Sequence, residues 1–313
     1  MLGYVAKRML AAIPVMLIVA VLVFSMLRLT AGDPAAIIAG DSANAQQIGE
    51  IRARLGLDQR IVTQFGIWVS RMATGDLGES FYFKKKVADL VLGRIGPTLS
   101  LASCTLLLSV LVALPLGVVA AWRSGTWVDR VVMNFSVLGF SVPVFVVGYI
   151  LILVFSIRLD WLPVQGYKPL AQGFWDWLGH LILPSVTLSV IFIALTARIA
   201  RTSVLEVLDE DYIRTARAKG LADHVVLMRH ALRNAAVPIV TVIGIGIAVL
   251  IGGVVVTESV FSIPGLGRLT VDAVLARDYP TVQAIILLFS LVYVLINLLI
   301  DISYTVLDPR IRY

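Results

Sequence analysis

Six long apolar runs dominate this 313-residue chain: Met9–Leu29, Thr98–Ala121, Val131–Ile157, Leu181–Ala197, Ala235–Thr257 and Tyr279–Ile300. A helix needs about 20 mainly apolar residues to cross the hydrocarbon core of a bilayer, and each run meets or approaches that length. Apolar residues make up 59% of the chain and charged residues 15%, against about 25% charged in a soluble domain. The fold class expected is therefore an all-α integral membrane protein of about six transmembrane helices in a lipid bilayer. Arg28 marks the outer end of the first run. The fourth run continues through Ile199 and Ala200, with Arg198 facing protein or snorkelling. The net charge of +6 does not point to nucleic acid, because the basic residues flank the apolar runs and form no stripe with interleaved aromatics. The single cysteine, Cys104, excludes an internal disulfide and a cysteine metal cluster. Lys7 and Arg8 precede a run too long for the apolar region of a cleaved signal peptide.

Lys and Arg in short loops set orientation. They gather at the N-terminus (Lys7, Arg8), between runs two and three (Arg123, Arg130), between runs four and five (Arg198, Arg201, Arg214, Arg217, Lys219, Arg229, Arg233) and in the tail (Arg310, Arg312). Both termini are thus expected in the cytoplasm. Residues 1–30 then form the N-terminus and first span, 31–97 an external (periplasmic) subdomain, and 98–313 a five-helix core with a cytoplasmic loop at 201–234. The external segment has turn signals at Gly32-Asp33-Pro34 and Gly75-Asp76. A helical pattern at Ile48, Ile51 and Leu55 lies between them, with Gly56 as its C-cap. The run Lys84-Lys85-Lys86 reads as a solvated turn.

Every apolar run contains a proline: Pro14, Pro115, Pro143, Pro184, Pro238 and Pro280. Pro238 and Pro280 lie near run starts, where proline is tolerated. The others remove helical hydrogen bonds, and the freed carbonyls need protein or a water-filled path beside them. Bent helices around a cavity suit a transporter. Signatures of catalysis are missing: no phosphate-binding Gly-x-x-x-x-Gly-Lys loop, Gly-x-Ser-x-Gly elbow or His-Glu-x-x-His pair occurs. His224 and His230 are six apart and do not share a helical face, and His180 is remote in sequence. Glu258 and Asp301 sit at run edges, where an interfacial or helix-pairing role is expected. In the fifth run Gly244, Ala248 and Gly252 recur every four residues, a stripe that lets helices approach closely. Gly246 and Gly253 lie off that stripe and are expected to line a path.

The loop at 201–234 is the most informative segment. It opens with Ser203-x-x-Glu206, a capping-box spacing. Acids lead the stretch Asp209–Gly220, bases trail it and glycine ends it, the order that suits a helix macrodipole and a glycine C-cap. Asp223 is placed to cap a second helix. Two short helices with a corner near Gly220 are expected, forming a surface for a cytoplasmic partner.

The residues Arg214-Thr215-Ala216-Arg217-Ala218-Lys219-Gly220, followed by His230-Ala231-Leu232-Arg233-Asn234-Ala235, resemble the Glu-Ala-Ala loop of binding-protein-dependent ABC importer permeases. The form is that of the dipeptide/oligopeptide/nickel and glutathione permease family. Arg214 holds the place of the glutamate, Ala216 and Gly220 keep theirs, and Arg233 replaces the terminal proline. Gly32-Asp33-Pro34, Leu55-Gly56-Leu57-Asp58, Gly75-Asp76-Leu77-Gly78, Phe261–Arg268, Arg277-Asp278-Tyr279-Pro280 and Asp308–Arg312 resemble other parts of the family pattern. The external region is similar to that of the first permease subunit of a pair. The resemblance implies a bacterial inner-membrane, multi-pass permease subunit that translocates peptides or a peptide-like solute and carries no ATPase site of its own. Its implied partners are a homologous second permease, two ATP-binding-cassette subunits that hydrolyse ATP with Mg, and an external solute-binding protein. The implied coupling residues are Asp211, Arg214, Thr215, Ala216, Arg217, Lys219, Gly220, His230, Arg233 and Asn234. Ala216 is expected to face a partner groove, and Arg217 and Lys219 to meet acids on the ATPase or simply to favour the C-terminus of their helix. The alternative is an ion-coupled secondary transporter, but such carriers keep ionisable residues near the bilayer midplane and none is visible in the runs.

Overall fold

The computed structural model describes residues 2–29, 35–36, 44–54 and 56–307. Gly32-Asp33-Pro34, Leu55 and the tail motif from Asp308 lie outside the described residues. Helices carry nearly all of the fold: α1 (Leu2–Leu29), α2 (Ala45–Arg54), α3 (Ile61–Ala73), α4 (Val87–Trp122), α5 (Trp127–Ser141), α6 (Val144–Leu151), α7 (Phe174–Leu208), α8 (Asp211–Ala218), α9 (223–234), α10 (Ala236–Val260), α11 (Leu266–Leu275) and α12 (Tyr279–Leu307). Five of them, α1, α4, α7, α10 and α12, are long and apolar enough to cross a membrane.

The third apolar run departs from a straight span. It divides into α5 and α6, the latter extended by π-helical turns to Arg158, and the two halves meet at 103°. Pro143 is the cause. Its ring disfavours helical backbone at the residue before it, and Val142 accordingly turns extended, at φ −95° and ψ 123°. Pro143 itself then starts α6 at φ −58°. By contrast Pro14, Pro115 and Pro184 lie within helices that run on through them, so proline breaks only one of the runs. Pro97 also lies inside a helix. The 36 residues of α4 span about 54 Å at 1.5 Å per residue, so the helix begins well before the apolar run it carries.

The chain divides into two compact units, 1–94 with 269–295, and 95–268 with 296–313. This partition differs from the three-part division expected above, because 269–295 groups with the first span and the segment after it. In the first unit Phe24 of α1 meets Phe65 edge-on at 5.2 Å and Trp68 at 5.6 Å. Both rings come from α3, an amphipathic helix additional to the one expected at Ile48–Leu55. A cavity of about 270 Å³ lies beside them, lined among others by Gln64, Trp68, Arg71 and Gln283. Gln283 Nε2 donates to Val23 O at 3.0 Å. Gly56 closes α2 at φ +65°. The lysine run forms the exposed end of a short hairpin, with Glu79 bridged to Lys86. Asp278 is fully buried and holds this hairpin. It accepts from Ser80 Oγ at 2.5 Å, Thr281 Oγ1 at 2.6 Å and Phe81 N at 3.0 Å.

In the second unit α4, α6, α7 and α10 enclose a core that includes Leu101, Leu181, Leu188, Phe192, Leu250, Val254 and Phe261, and α5 packs on α4 and α7 through Val132. Small residues set the crossings. A Cβ on Gly117 would fall 2.7 Å from both Ala197 O and Ala200 Cβ, and one on Gly139 2.9 Å from Ala194 Cβ. Along α10 the expected roles change places. Gly246 and Gly253, expected beside a path, are closed off: an added Cβ would come within 2.6 Å of Phe192 and of Leu188. Gly244 backs directly onto Ile300, while a Cβ on Gly252 would meet nothing within 4 Å. Among the described residues the stripe therefore does not pack as one face: Ile300 covers Gly244 and leaves Gly252 open. Glu258, expected in an interfacial or helix-pairing role, is wholly buried and joins α10 to α4. Its carboxylate accepts from Thr98 Oγ1 at 2.6 Å and Arg268 N at 3.0 Å. The glycines at 265 and 267 leave room for it.

Alanine in place of glycine stabilises a helix by about 0.5–1 kcal/mol where nothing opposes it, whereas overpacking costs about 1–3 kcal/mol. Gly117→Ala is expected to lower the thermal midpoint of the detergent-solubilised protein, because backbone and a Cβ stand in the way. Gly252→Ala is expected to leave it unchanged or raise it. Equal midpoints for the two variants would show that the α4–α7 crossing does not depend on Gly117.

Candidate functional site

The segment after α7 folds as a compact two-helix unit. The loop begins later than the sequence implied. Ser203 and Glu206 lie inside α7, with Ser203 buried. They form no capping box, since that motif needs a non-helical residue at its first position. The chain leaves α7 at Asp209 and enters α8 through Glu210, whose backbone is extended at φ −71° and ψ 145°. Asp211 in the first turn complements the positive end of the helix. It also receives Arg214 Nη1 at 3.1 Å, while Thr215 Oγ1 donates to its carbonyl at 3.0 Å. Arg214, in the place of the family's glutamate, is thus folded back along its own helix.

At the other end Lys219 is the last residue of near-helical backbone and Gly220 takes φ +78°. Gly220 N donates to Arg217 O at 2.9 Å and Leu221 N to Ala216 O at 3.3 Å, the paired bonds of a Schellman motif. The left-handed turn reverses the chain into α9. Asp223 does not cap that helix. Ala222 occupies the cap position, and Asp223, one residue later, pairs across the corner with Arg217, Nε to Oδ1 at 3.3 Å.

The central part of α9, Val226–Ala231, is π-helical. Val226, Leu227 and Ala231 are all buried. Val226 meets Ile213 and Ala216 of α8. Leu227 and Ala231 join Ala200 and Val204 of α7, Val118 and Ala121 of α4, and Ile239 of α10. The inner side of the loop is therefore continuous with the ends of three long helices. Ala216 belongs to that inner side, at 8% exposure, and not to a surface facing a partner. Ile213 and Ala216 are three apart and must share a face, and the isoleucine takes that face inward. The outer side carries Tyr212, Thr215, Arg217, Ala218, Lys219, Gly220, Leu221 and Met228, all exposed. Asn234 Nδ2 donates to His230 O at 2.8 Å, and Arg233 is exposed. Burial pushes the Tyr212 phenol above its ordinary pKa, an effect opposed by a hydrogen bond with the Asn234 side chain. These residues make a shaped surface with apolar and basic groups on it, not a set of converging catalytic side chains. Among the described residues no three of His, Cys, Asp and Glu gather as metal ligands.

One pair of charged residues here was not singled out from the sequence. Asp129, in the first turn of α5, accepts from Arg201 Nε through Oδ1, and from Arg201 Nη2 at 2.7 Å and Gly125 N at 2.9 Å through Oδ2. The side chains are 6% and 22% exposed. Opposite charges beside two apolar runs were the available signal, but the partners are 72 residues apart and no local pattern joins them.

The sequence profile described as "Binding-protein-dependent transport system inner membrane component" matches residues 113–313, and that of the corresponding N-terminal region matches residues 1–102. A probable peptide ABC transporter permease protein of Sinorhizobium fredii is 54% identical over 99% of both chains. The glutathione transport system permease protein GsiC of Escherichia coli K12 is 46% identical over the whole of both. Among solved structures, a chain from inward-facing conformations of the MetNI methionine ABC transporter covers 70% of this chain and 96% of its own length, at a TM-score of 0.57 and 18% identity. That likeness concerns the fold. With apolar helices of spanning length and a profile match over most of its length, this chain belongs to the family of inner membrane components of binding-protein-dependent transport systems.

Proposed function

We propose that this chain is one membrane subunit of an ATP-driven importer of peptides, with glutathione within its solute class. The observation that carries the reading is the two-helix loop at 209–234. Its inner face is built into the ends of α4, α7 and α10, and its outer face is exposed with both apolar and basic groups. Full-length relatives named as a peptide permease and a glutathione permease support the solute class. The ion-coupled carrier considered from the sequence loses its footing in a binding-protein-dependent family.

In this reading the complex contains a homologous second permease, two ATP-binding-cassette subunits and an external binding protein. ATP and Mg are bound and hydrolysed by the cassette subunits, and this chain binds no cofactor. Both termini and the loop face the cytoplasm, and the segment before α4 faces outward. Closure of the cassette pair displaces the loop, and the spans switch between inward-facing and outward-facing arrangements, each stabilised by different contacts. The open face of α10 around Ile245, Val249, Gly252 and Val256 is the surface for the second permease.

A reporter fused after Tyr313 is expected on the cytoplasmic side and one inserted beside Gly40 on the outer side, since short-loop Lys and Arg set topology. Both reporters on one side would refute this orientation. For coupling, the variants are Ala218→Arg, which adds bulk and charge to the outer face, and Gly220→Val, which meets open space but strains the left-handed turn by about 1–2 kcal/mol. In proteoliposomes holding the complete transporter with binding protein and peptide, each is expected to lower stimulated ATP hydrolysis and uptake together by about tenfold. Insertion and pairing with the second permease should persist. Lys84→Ala should behave as the unmodified chain. Normal hydrolysis and uptake in both loop variants would overturn the assignment of the loop.

A further inference from the structure

We propose that the Asp129–Arg201 pair is a positioning clamp that makes the turn joining α4 to α5 move as one body with the loop-bearing end of α7. The inference rests on the coupling role assigned to the loop above, and it names the residues through which a displacement of the loop reaches the spans.

Three observations converge on one level of the fold. Arg201 lies on α7 two turns before Leu208, where that helix gives way to the loop. Its guanidinium engages both oxygens of Asp129, a fork geometry that fixes orientation as well as distance. The second carboxylate oxygen also takes the N–H of Gly125, in the left-handed position (φ +78°) of the turn between α4 and α5. On the other side of the same α7 turn, α4 comes into backbone contact: a Cβ on Gly117 would lie 3.2 Å from Arg201 N and 2.7 Å from Ala197 O. Next to the clamp, Ala200 and Val204 of α7 and Val118 and Ala121 of α4 receive Leu227 and Ala231 from the loop.

The apolar part of this junction can slide, because dispersion contacts are weak singly and carry little direction. The charged part cannot do so without leaving two ions unpaired in a poorly hydrated place. Asp129 and Arg201 therefore stiffen the junction between α5 and the end of α7 on which the loop is seated. Without the fork, the loop can still engage a cassette subunit and permit hydrolysis, but α5 and α4 no longer follow it. Uptake is then lost while hydrolysis continues. A pair that served stability alone would lower hydrolysis, uptake and the amount of assembled complex together, leaving solute moved per ATP unchanged.

The test measures that ratio in the complete transporter, reconstituted with binding protein and a dipeptide or glutathione as the probe solute. The variants are Asp129→Asn, which keeps the shape and an acceptor for Gly125, and Arg201→Lys, which keeps the charge but loses the fork. Solute moved per ATP is expected to fall about tenfold in Asp129→Asn and less in Arg201→Lys, with stimulated hydrolysis within about twofold of the unmodified complex. The exchanged pair Asp129→Arg with Arg201→Asp should recover part of the ratio. An unchanged ratio in both single variants would overturn the clamp. So would loss of assembly in both, which would make the pair a folding element. Gly220→Val separates this inference from the reading beneath it. If that variant leaves hydrolysis and uptake normal, the loop itself is misassigned. If it abolishes both while the clamp variants keep a normal ratio, only the clamp fails.

Discussion

In hydrocarbon, each backbone N–H and C=O left without a partner costs several kcal/mol, so a chain embedded there must satisfy them internally. That requirement explains both the long helices and the way their interruptions are built. Where α5 breaks at Pro143, Val146 N and Val147 N bond back to the Pro143 carbonyl at 3.0 and 3.3 Å. Where α10 ends, the buried Glu258 carboxylate takes Arg268 N and Thr98 Oγ1, and the N–H of Leu266 finds Thr98 Oγ1 at 2.8 Å. Outside the spans, Asp129 serves Gly125 N and Asp278 serves Phe81 N in the same manner, because both carboxylates are buried within protein. Each of these carboxylates is anchored beside a loop that would otherwise leave donors unpaired. Buried carboxylates are costly unless fully hydrogen-bonded, and here the loop donors supply those bonds.

Much of this was legible in the sequence, for local reasons. The apolar runs show because length and composition are summed over about 20 residues. Gly220 and Gly56 show as helix ends because a left-handed residue after a run of helix formers is a short-range signal. The 103° bend was only partly legible: Pro143 marks its place, but Pro14, Pro115 and Pro184 carry the same local signal and run on within helices. The second amphipathic helix before α4 was missed because its apolar residues, Ile61, Phe65 and Trp68 among them, lie in a segment read through its turn signals. The inward turn of Ala216 was readable from its spacing to Ile213, yet the family pattern directed attention to the small residue as a contact. Pairs such as Asp129–Arg201 and Thr98–Glu258, 72 and 160 residues apart, have no local pattern to reveal them. The close approaches at Gly246 and Gly253 depend on Phe192 and Leu188 of α7, more than 50 residues away in sequence, which periodicity along α10 does not encode.

The account of function follows from one asymmetry. The loop between α7 and α10 has an inner face continuous with three helix ends and an outer face left exposed by the described residues. Its helices have only eight and twelve residues, too short to be stable alone in water. They are held by Ile213, Val226, Leu227 and Ala231 on the inside, by the reversal at Gly220 and by the Arg217–Asp223 pair across the corner. A connector needs none of this order. The coupling role proposed for the loop calls for a surface that keeps its shape.

The most direct test of that asymmetry is thiol accessibility around the loop. With Cys104 replaced by serine, single cysteines would be placed at Ile213, Thr215, Ala216, Ala218, Lys219 and Lys84. Labelling by a membrane-impermeant thiol reagent would then be compared, in inside-out vesicles, for the permease pair with and without its cassette subunits. The account predicts slow labelling at 213 and 216 in both preparations, and fast labelling at 215, 218 and 219 that is suppressed when the cassette subunits are present. Position 84 should stay unlabelled in these vesicles and react in right-side-out ones, whether or not the cassettes are bound. Equal labelling of 215, 218 and 219 in the two preparations would contradict the claim that the outer face of this loop receives the ATP-hydrolysing partner.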